Sequence, residues 1–481
     1  MFDSCEAKLA LNYFHEITKI PHGSGNEKAV SDYVNNFAKS LGLKTIQDDM
    51  SNLIVFKDAT PGYENSPSLI LQAHLDMVCE KNNDIVHDFA KDPLDIFIDG
   101  DFLKARGTTL GADNGIAVSL FMALMEDCKE HPPLEFVFTT EEETGMAGAM
   151  ELDVSPLKGR CMINLDTDND AGFVMGCAAG TLIKYRLPVS YVKPCEDFVQ
   201  VKISVSGLAG GHSGMDIHKN RAHSIKLIGV ILAELASRFS VLIKSINGGM
   251  KVNAIPREAF LDAALLKNEL AKAKELVGKF QEQFLSDFRL TDPKLQVVIE
   301  EVDGGSCEFL DELSKQRLIS TLQLFPNGVL AMSSELASLV NSSCNLGVVE
   351  TTKDEIVFSA MPRGAAKYYN ERVENAVLSL GKLTGAETIF IERSPAWPYN
   401  PFSELLDLAK NSYEKVFGAK PTVSAVHAGL ECGLFADKIP GLDIISFGPV
   451  TYDLHTPDER VSISSVGRVW KFLLELLSSK R

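Results

Sequence analysis

The 481-residue chain contains no uninterrupted apolar run of the roughly 18–20 residues needed to cross a bilayer. Its start, Met-Phe-Asp-Ser-Cys-Glu-Ala-Lys, lacks the basic, apolar and small-residue succession of a secretory signal and turns amphipathic instead. Cysteine is dispersed: nine residues, an odd total with no paired spacing, argue against a secreted disulfide framework and fit reduced thiols. Positive charge is in short supply, with 47 Lys and Arg against 65 Asp and Glu and a formal charge of −18. Such a surface repels phosphate backbones and anionic lipid, so neither nucleic acid nor a membrane is expected as partner. Short-period repeats and low-complexity tracts are missing as well. A soluble, cytoplasmic, globular protein is the expectation.

The chain that remains is long enough for two or more cores, with 45% hydrophobic and 23% charged residues. Residues 1–183 alternate helical and strand patterns, as an α/β sheet requires. Short apolar runs at 68–73, 134–139 and 161–165 resemble strands buried on both faces, and 115–125 has helical periodicity. Past Gly180 the texture changes: 199–205 alternates as a half-exposed strand and 222–239 reads as an amphipathic helix. Further strands are expected near 295–300 and 355–359, in a module that runs over 184–396 and consists of two similar α/β halves. The proline-rich stretch from Arg393 to Pro401 links back to a final piece, 397–481. The fold expected is therefore two-domain α/β, with a mixed-sheet domain interrupted by an inserted α+β module.

Residues of metal and acid–base chemistry stand where strands of the first piece end. His74 and Asp76 follow Leu69-Ile70-Leu71, and ligands in open α/β sheets lie outside the carboxyl ends of strands. Asp76 can accept the proton of the second ring nitrogen of His74, fixing its tautomer. Asp113 sits in the glycine-rich turn Gly-Thr-Thr-Leu-Gly-Ala-Asp-Asn-Gly, where a carboxylate could offer one oxygen to each of two cations. Glu141, Glu142 and Glu143 follow Phe136–Thr140; neighbours on an extended backbone point apart, so at most one or two face a common site. Asp166 ends the next strand, and His455 can join only through folding. Five carboxylates in one crevice would resist ionising together, whereas two divalent cations nearly neutralise them. Imidazole and carboxylate without thiolate is the donor set of hydrolytic two-metal sites.

Seven motifs occur in order: His-Leu-Asp-Met-Val, Gly-Ala-Asp-Asn-Gly, Glu-Glu-Glu-Thr-Gly, Asn-Leu-Asp-Thr-Asp, Gly-Gly-His-Ser-Gly, His-Ala-Gly-Leu-Glu-Cys-Gly and His-Thr-Pro-Asp-Glu. Together they resemble the M20 metallopeptidases, in the aminoacyl-histidine (Xaa-His) dipeptidase branch also called cytosolic non-specific dipeptidase. The resemblance spans nearly the whole chain. It implies a zinc-peptidase-type catalytic domain with an inserted lid that mediates homodimerisation. It also implies two divalent cations per subunit, zinc first, with manganese or cobalt as alternatives. Asp113 would bridge them, His74 and Asp166 completing one set of ligands and Glu143 and His455 the other. Glu142 would be the general base and Asp76 the partner of His74. His212 would reach a neighbouring active site and stabilise the oxyanion there, Asn253 and Arg363 would hold the substrate carboxylate, and His427 and Glu431 would line the pocket. Arg363 is followed by Gly-Ala, where relatives more often carry serine. The activity implied is hydrolysis of unblocked dipeptides, Xaa-His among them, by metal-activated water. An N-acyl amino-acid deacylase using the same centre is the alternative.

Overall fold

A computed structural model describes residues 2, 5–193, 198–303, 308–336 and 339–480. The chain forms two compact units: residues up to Gly176 with Tyr399–Ala425 and Leu430 onward, and Cys177–Pro398 with Val426–Gly429.

The first unit is built on an eight-stranded mixed sheet. At its centre Leu134–Thr139, Leu69–His74, Cys161–Asn164 and Asp443–Ser446 run parallel. Every residue of Leu69–His74 and Leu134–Thr139 is buried, as continuous apolar runs covered on both faces require. Antiparallel strands Leu53–Lys57 and Lys44–Gln47 extend one side, and Gly172–Cys177 and Thr422–Val426 the other. The helix Ala112–Asp127 is buried around most of its surface, packed with Phe14 and Ile17 of the helix Lys8–Ile17 in the same core. A smaller sheet orders Thr451–Tyr452, Arg460–Ser462, Phe102–Ala105 and Ile96–Asp99.

The second unit holds a nine-stranded sheet whose recorded pairings are all antiparallel. Phe198–Ser206, Val241–Gly248, Ala259–Leu266 and Gln296–Glu301 form one βαββαβ half, with helices Ser224–Arg238 and Leu270–Asp287. Ala179–Pro188, Val340–Thr351, Glu355–Gly364 and Glu387–Ser394 form the other, with helices Glu312–Leu324 and Lys367–Thr384. Counting strands within each half, both have the spatial order 4-1-3-2, and they abut through their second strands. The two halves expected from the pattern are thus real, with one inserted after the first strand of the other. Ala179–Pro188 is paired along its length in this sheet, which a division at 183/184 would cut.

Candidate metal centre

Register assembles the rim of the first unit. His74 pairs with Thr139, and Gln72 with Asn164, so the parallel strands finish side by side. The chain beyond them delivers Glu142 and Glu143 from one strand and Asp166 from another to the place where His74 ends the third. The small sheet adds the last candidate, His455: Arg460–Ser462 pairs with Phe102–Ala105, and the two strands flank the turns carrying His455 and Asp113.

Asp113 joins two sets of side chains. Its Oδ1 lies 3.1 Å from His74 Nε2, which is 3.4 Å from Asp166 Oδ1. Its Oδ2 lies 3.4 Å from His455 Nε2, itself 3.0 Å from Glu143 Oε1. His74, Asp113 and Asp166 form one group, and Asp113, Glu143 and His455 a second, each with ligand atoms within 4.8 Å of one another. Glu142 stands beside them, in a third such group with His74 and Glu143. Glu141 belongs to none among the described residues; its backbone is left-handed and its N–H donates to Glu27 at 3.1 Å.

Electrostatics follow from this crowding. Burial opposes a charge on His74, but Asp166, Asp113 and Asp76 outweigh it and hold the imidazole well above its usual range. Burial likewise disfavours the Asp113 carboxylate, yet contacts with His455 and His74 keep it below the ordinary carboxylate range. Burial raises Glu142 well above the usual value, with Asp166, Glu431 and Glu143 nearby. Glu431, fully buried, is pushed up to about 7 by burial. Its Oε2 accepts from Gln72 at 2.6 Å and Thr139 at 2.8 Å, while Oε1 has no hydrogen-bond partner. A set of imidazoles shared between carboxylates, without thiolate, fits divalent cations of the zinc, manganese and cobalt kind. The shared Asp113 suits a pair of them.

Asp76 serves both sides of the rim. Besides lying 3.4 Å from His74 Nδ1, its carboxylate accepts from Ser24 Oγ at 2.7 Å and from the Glu142 and Glu143 amides at 3.0 and 3.1 Å. The nearer acceptor for His74 Nδ1 is the Asp76 carbonyl, at 3.1 Å. Two supporting residues were not singled out from the sequence. Asn114 donates to Asp166 Oδ1 at 2.6 Å and to the Leu165 carbonyl at 3.1 Å. Glu459 is 3% exposed and accepts four consecutive amides, Leu110 to Asp113. Its place after His-Thr-Pro-Asp was the available signal, but a glutamate on a turn carries no mark of its partners.

The other sequence candidates lie in the second unit. His212 Nδ1 accepts from the Gly214 and Met215 amides at 3.2 and 3.0 Å, leaving the proton on Nε2. Burial and the nearby Arg363 lower the His212 pKa, so a neutral N–H donor is presented. Asn253 is brought alongside by a bridge between His212 and Ala254 and by Ser213 N–H donating to the Asn253 carbonyl at 2.8 Å. Arg363 is 7% exposed, its Nε lacks a hydrogen-bond partner, and burial pushes it down to about 10. His427 lies 2.7 Å from Ser343 Oγ, and burial with the Arg363 charge pushes it down to about 3. A buried cation with a free donor is an anion-receiving arrangement.

The sequence matches peptidase family M20/M25/M40 over residues 70–479. The chain belongs to this family. It is 37% identical over 465 residues to the cytosol non-specific dipeptidase of Escherichia coli K12, covering 96% of each chain. The solved aminoacylhistidine dipeptidase of Vibrio alginolyticus superposes with a TM-score of 0.94 at 35% identity, covering 100% of this chain and 98% of that one. A tripeptidase from Staphylococcus aureus shares the fold at 16% identity, TM-score 0.57, with 98% of each chain covered. Motif resemblance and mixed α/β fold class both stand. Among the described residues no helix is long and apolar enough to cross a membrane.

Proposed function

We propose that this M20 peptidase is a cytoplasmic metallo-dipeptidase that hydrolyses unblocked dipeptides, Xaa-His among them. The observation that carries the reading is Asp113, with one oxygen toward His74 and Asp166 and the other toward Glu143 and His455. His74, Asp113 and Asp166 would hold one divalent cation and Asp113, Glu143 and His455 a second, zinc for preference. Bound there, two cations would lower the pKa of water and polarise the scissile carbonyl. Glu142, outside both groups that share Asp113, takes the proton of the attacking water on its carboxylate and returns it to the leaving amine. Asp76 keeps His74 and the Glu142–Glu143 turn in register through its four contacts. In the second unit, His212 Nε2–H is the donor for the developing oxyanion, and Arg363 with Asn253 receives the substrate carboxylate. His427 lines that pocket, and Glu431 is the group proposed to meet the free amine.

Homodimerisation through the second unit completes the proposal. The strand Gly328–Met332 supports it, leaving Leu330 and Met332 exposed. Light scattering tests the dimer. Hydrolysis of a free dipeptide, a β-alanyl-histidine dipeptide, a tripeptide and an N-acetyl amino acid, before chelation and after Zn²⁺ or Mn²⁺ is restored, tests the activity. Metal-dependent cleavage confined to free dipeptides is expected. Cleavage of the acetylated compound alone would replace the dipeptidase by an amidohydrolase.

A further inference from the structure

Glu459 is buried in the first unit and bound to the backbone of a proposed ligand. Its Oε2 accepts from Leu110 at 2.7 Å and Gly111 at 3.0 Å, and its Oε1 from Ala112 at 2.9 Å and Asp113 at 3.3 Å. These amides precede the kink at Asp113 and Asn114 that leads into the helix, and Gly111 offers no side-chain acceptor for them. Buried backbone amides need an acceptor. Glu459 supplies it, for four amides at once, from a distant part of the chain. Its own N–H donates to the Thr456 carbonyl at 3.1 Å, closing the turn Thr456–Glu459 that directly follows His455. Glu459 thus ties the Asp113 turn to the turn that follows His455, and Asp113 and His455 sit in the same group of possible ligands.

We propose that Glu459 is a positioning residue that locks the Asp113 turn against the His455 turn and thereby sets the affinity of the second cation. This rests on the two-cation reading of the centre. Both cations share Asp113, but the first keeps two ligands held independently of Glu459, His74 by Asp76 and Asp166 by Asn114 at 2.6 Å. His455 has less to hold it, with its side chain 50% exposed. In Glu459→Gln one oxygen becomes an NH₂ group facing two amide donors, so two of the four hydrogen bonds are lost and donors oppose donors.

The test is calorimetric titration of chelator-stripped protein with Co²⁺, read together with the visible Co²⁺ spectrum. Wild-type protein should take two equivalents. Glu459→Gln should bind the first within about threefold of wild type and the second about 10–100-fold more weakly, as loss of a ligand's supporting contact typically does. The spectrum of the second equivalent should change with it. Glu459→Asp keeps the acceptors on a shorter arm and should fall between the two. Leu473→Ala, in the buried core of the same unit, controls for lost stability and should leave the second affinity unchanged. A folded Glu459→Gln with wild-type affinities and spectrum overturns the proposal, as does a Glu459→Asp weaker than Glu459→Gln. If Glu459→Gln does not fold, Glu459→Asp with wild-type second-cation affinity overturns it. Wild-type protein that binds fewer than two equivalents sinks the two-cation reading instead.

Discussion

Gly214→Ala is expected to impair the proposed carboxylate clamp while leaving the metal centre loaded. A Cβ built on Gly214 would lie 2.1 Å from the His427 carbonyl oxygen and 3.2 Å from Arg363 Nε. Cβ contacts below 3.0 Å are essentially never seen, so roughly 0.9 Å of separation must be gained, and the obstacle is backbone. The yielding element is either the segment Val426–Gly429, which carries His427, or the turn that follows His212. Overpacking of this kind costs about 1–3 kcal/mol of stability. A misplacement near 1 Å in a catalytic arrangement costs on the order of 100-fold in rate. Stopped assays with a free dipeptide should therefore show kcat/KM reduced by about 10–100-fold, with KM raised. Metal content should stay at the wild-type level, since all residues of the proposed centre belong to the first unit. Wild-type kinetics in Gly214→Ala would refute both the tight fit and the role of this corner.

Other substitutions separate the remaining roles. Glu142→Gln should keep both cations by elemental analysis while lowering kcat by about 10²–10⁴-fold, the usual worth of a general base; near-native turnover would move the base elsewhere. Arg363→Lys should raise KM for free dipeptides by tenfold or more, because a point charge replaces a bidentate fork; an unchanged KM would place the carboxylate in another pocket. Acid should weaken the second unit. Burial first, then Lys226, pushes His223 down to about 3, and burial with Arg363 does the same to His427. Both are neutral when folded and gain a proton on unfolding below their ordinary pKa near 6.5. Their contribution should be constant above that pH and fall by about 1.4 kcal/mol per pH unit per histidine as pH drops from 6.5 toward 3. Urea unfolding of His223→Asn with His427→Asn should show a shallower slope; an identical slope would refute this account.

Most of the first unit was readable because its strands follow a simple physical rule. The expected runs at 68–73, 134–139 and 161–165 became Leu69–His74, Leu134–Thr139 and Cys161–Asn164. A strand covered on both faces has little choice but to be apolar throughout. The helix expected over 115–125 runs on to Asp127, and the span Ala112–Asp127 is broken at its start by Asp113 and Asn114, whose non-helical dihedrals no propensity registers. In the second unit, half-exposed strands alternate and their partners do not announce themselves. The pattern suggested two halves, but not that one splits the other or that Val340–Thr351 would meet Val241–Gly248.

The site divides along the same line between local and distant information. His74, Asp76, Asp113 and Asp166 stand at strand ends or tight turns, and their surroundings in the sequence mark them. The glutamate triplet was ambiguous by sequence, and a left-handed residue at Glu141 shows how the chain resolves it. That turn directs Glu142 and Glu143 into ligand-type groups with His74, while Asp76 anchors both their amides. Glu459 and Asn114 are invisible for the opposite reason. Each works by binding groups brought to it by folding, and a carboxylate for backbone amides leaves no sequence spacing at all, since every residue but proline has the donor. Sequence reading therefore finds the atoms that meet a ligand sooner than those that hold them in place. If holding is what Glu459 does, the clearest sign will be that its conservative replacements change how the second cation binds before they change how well the protein folds.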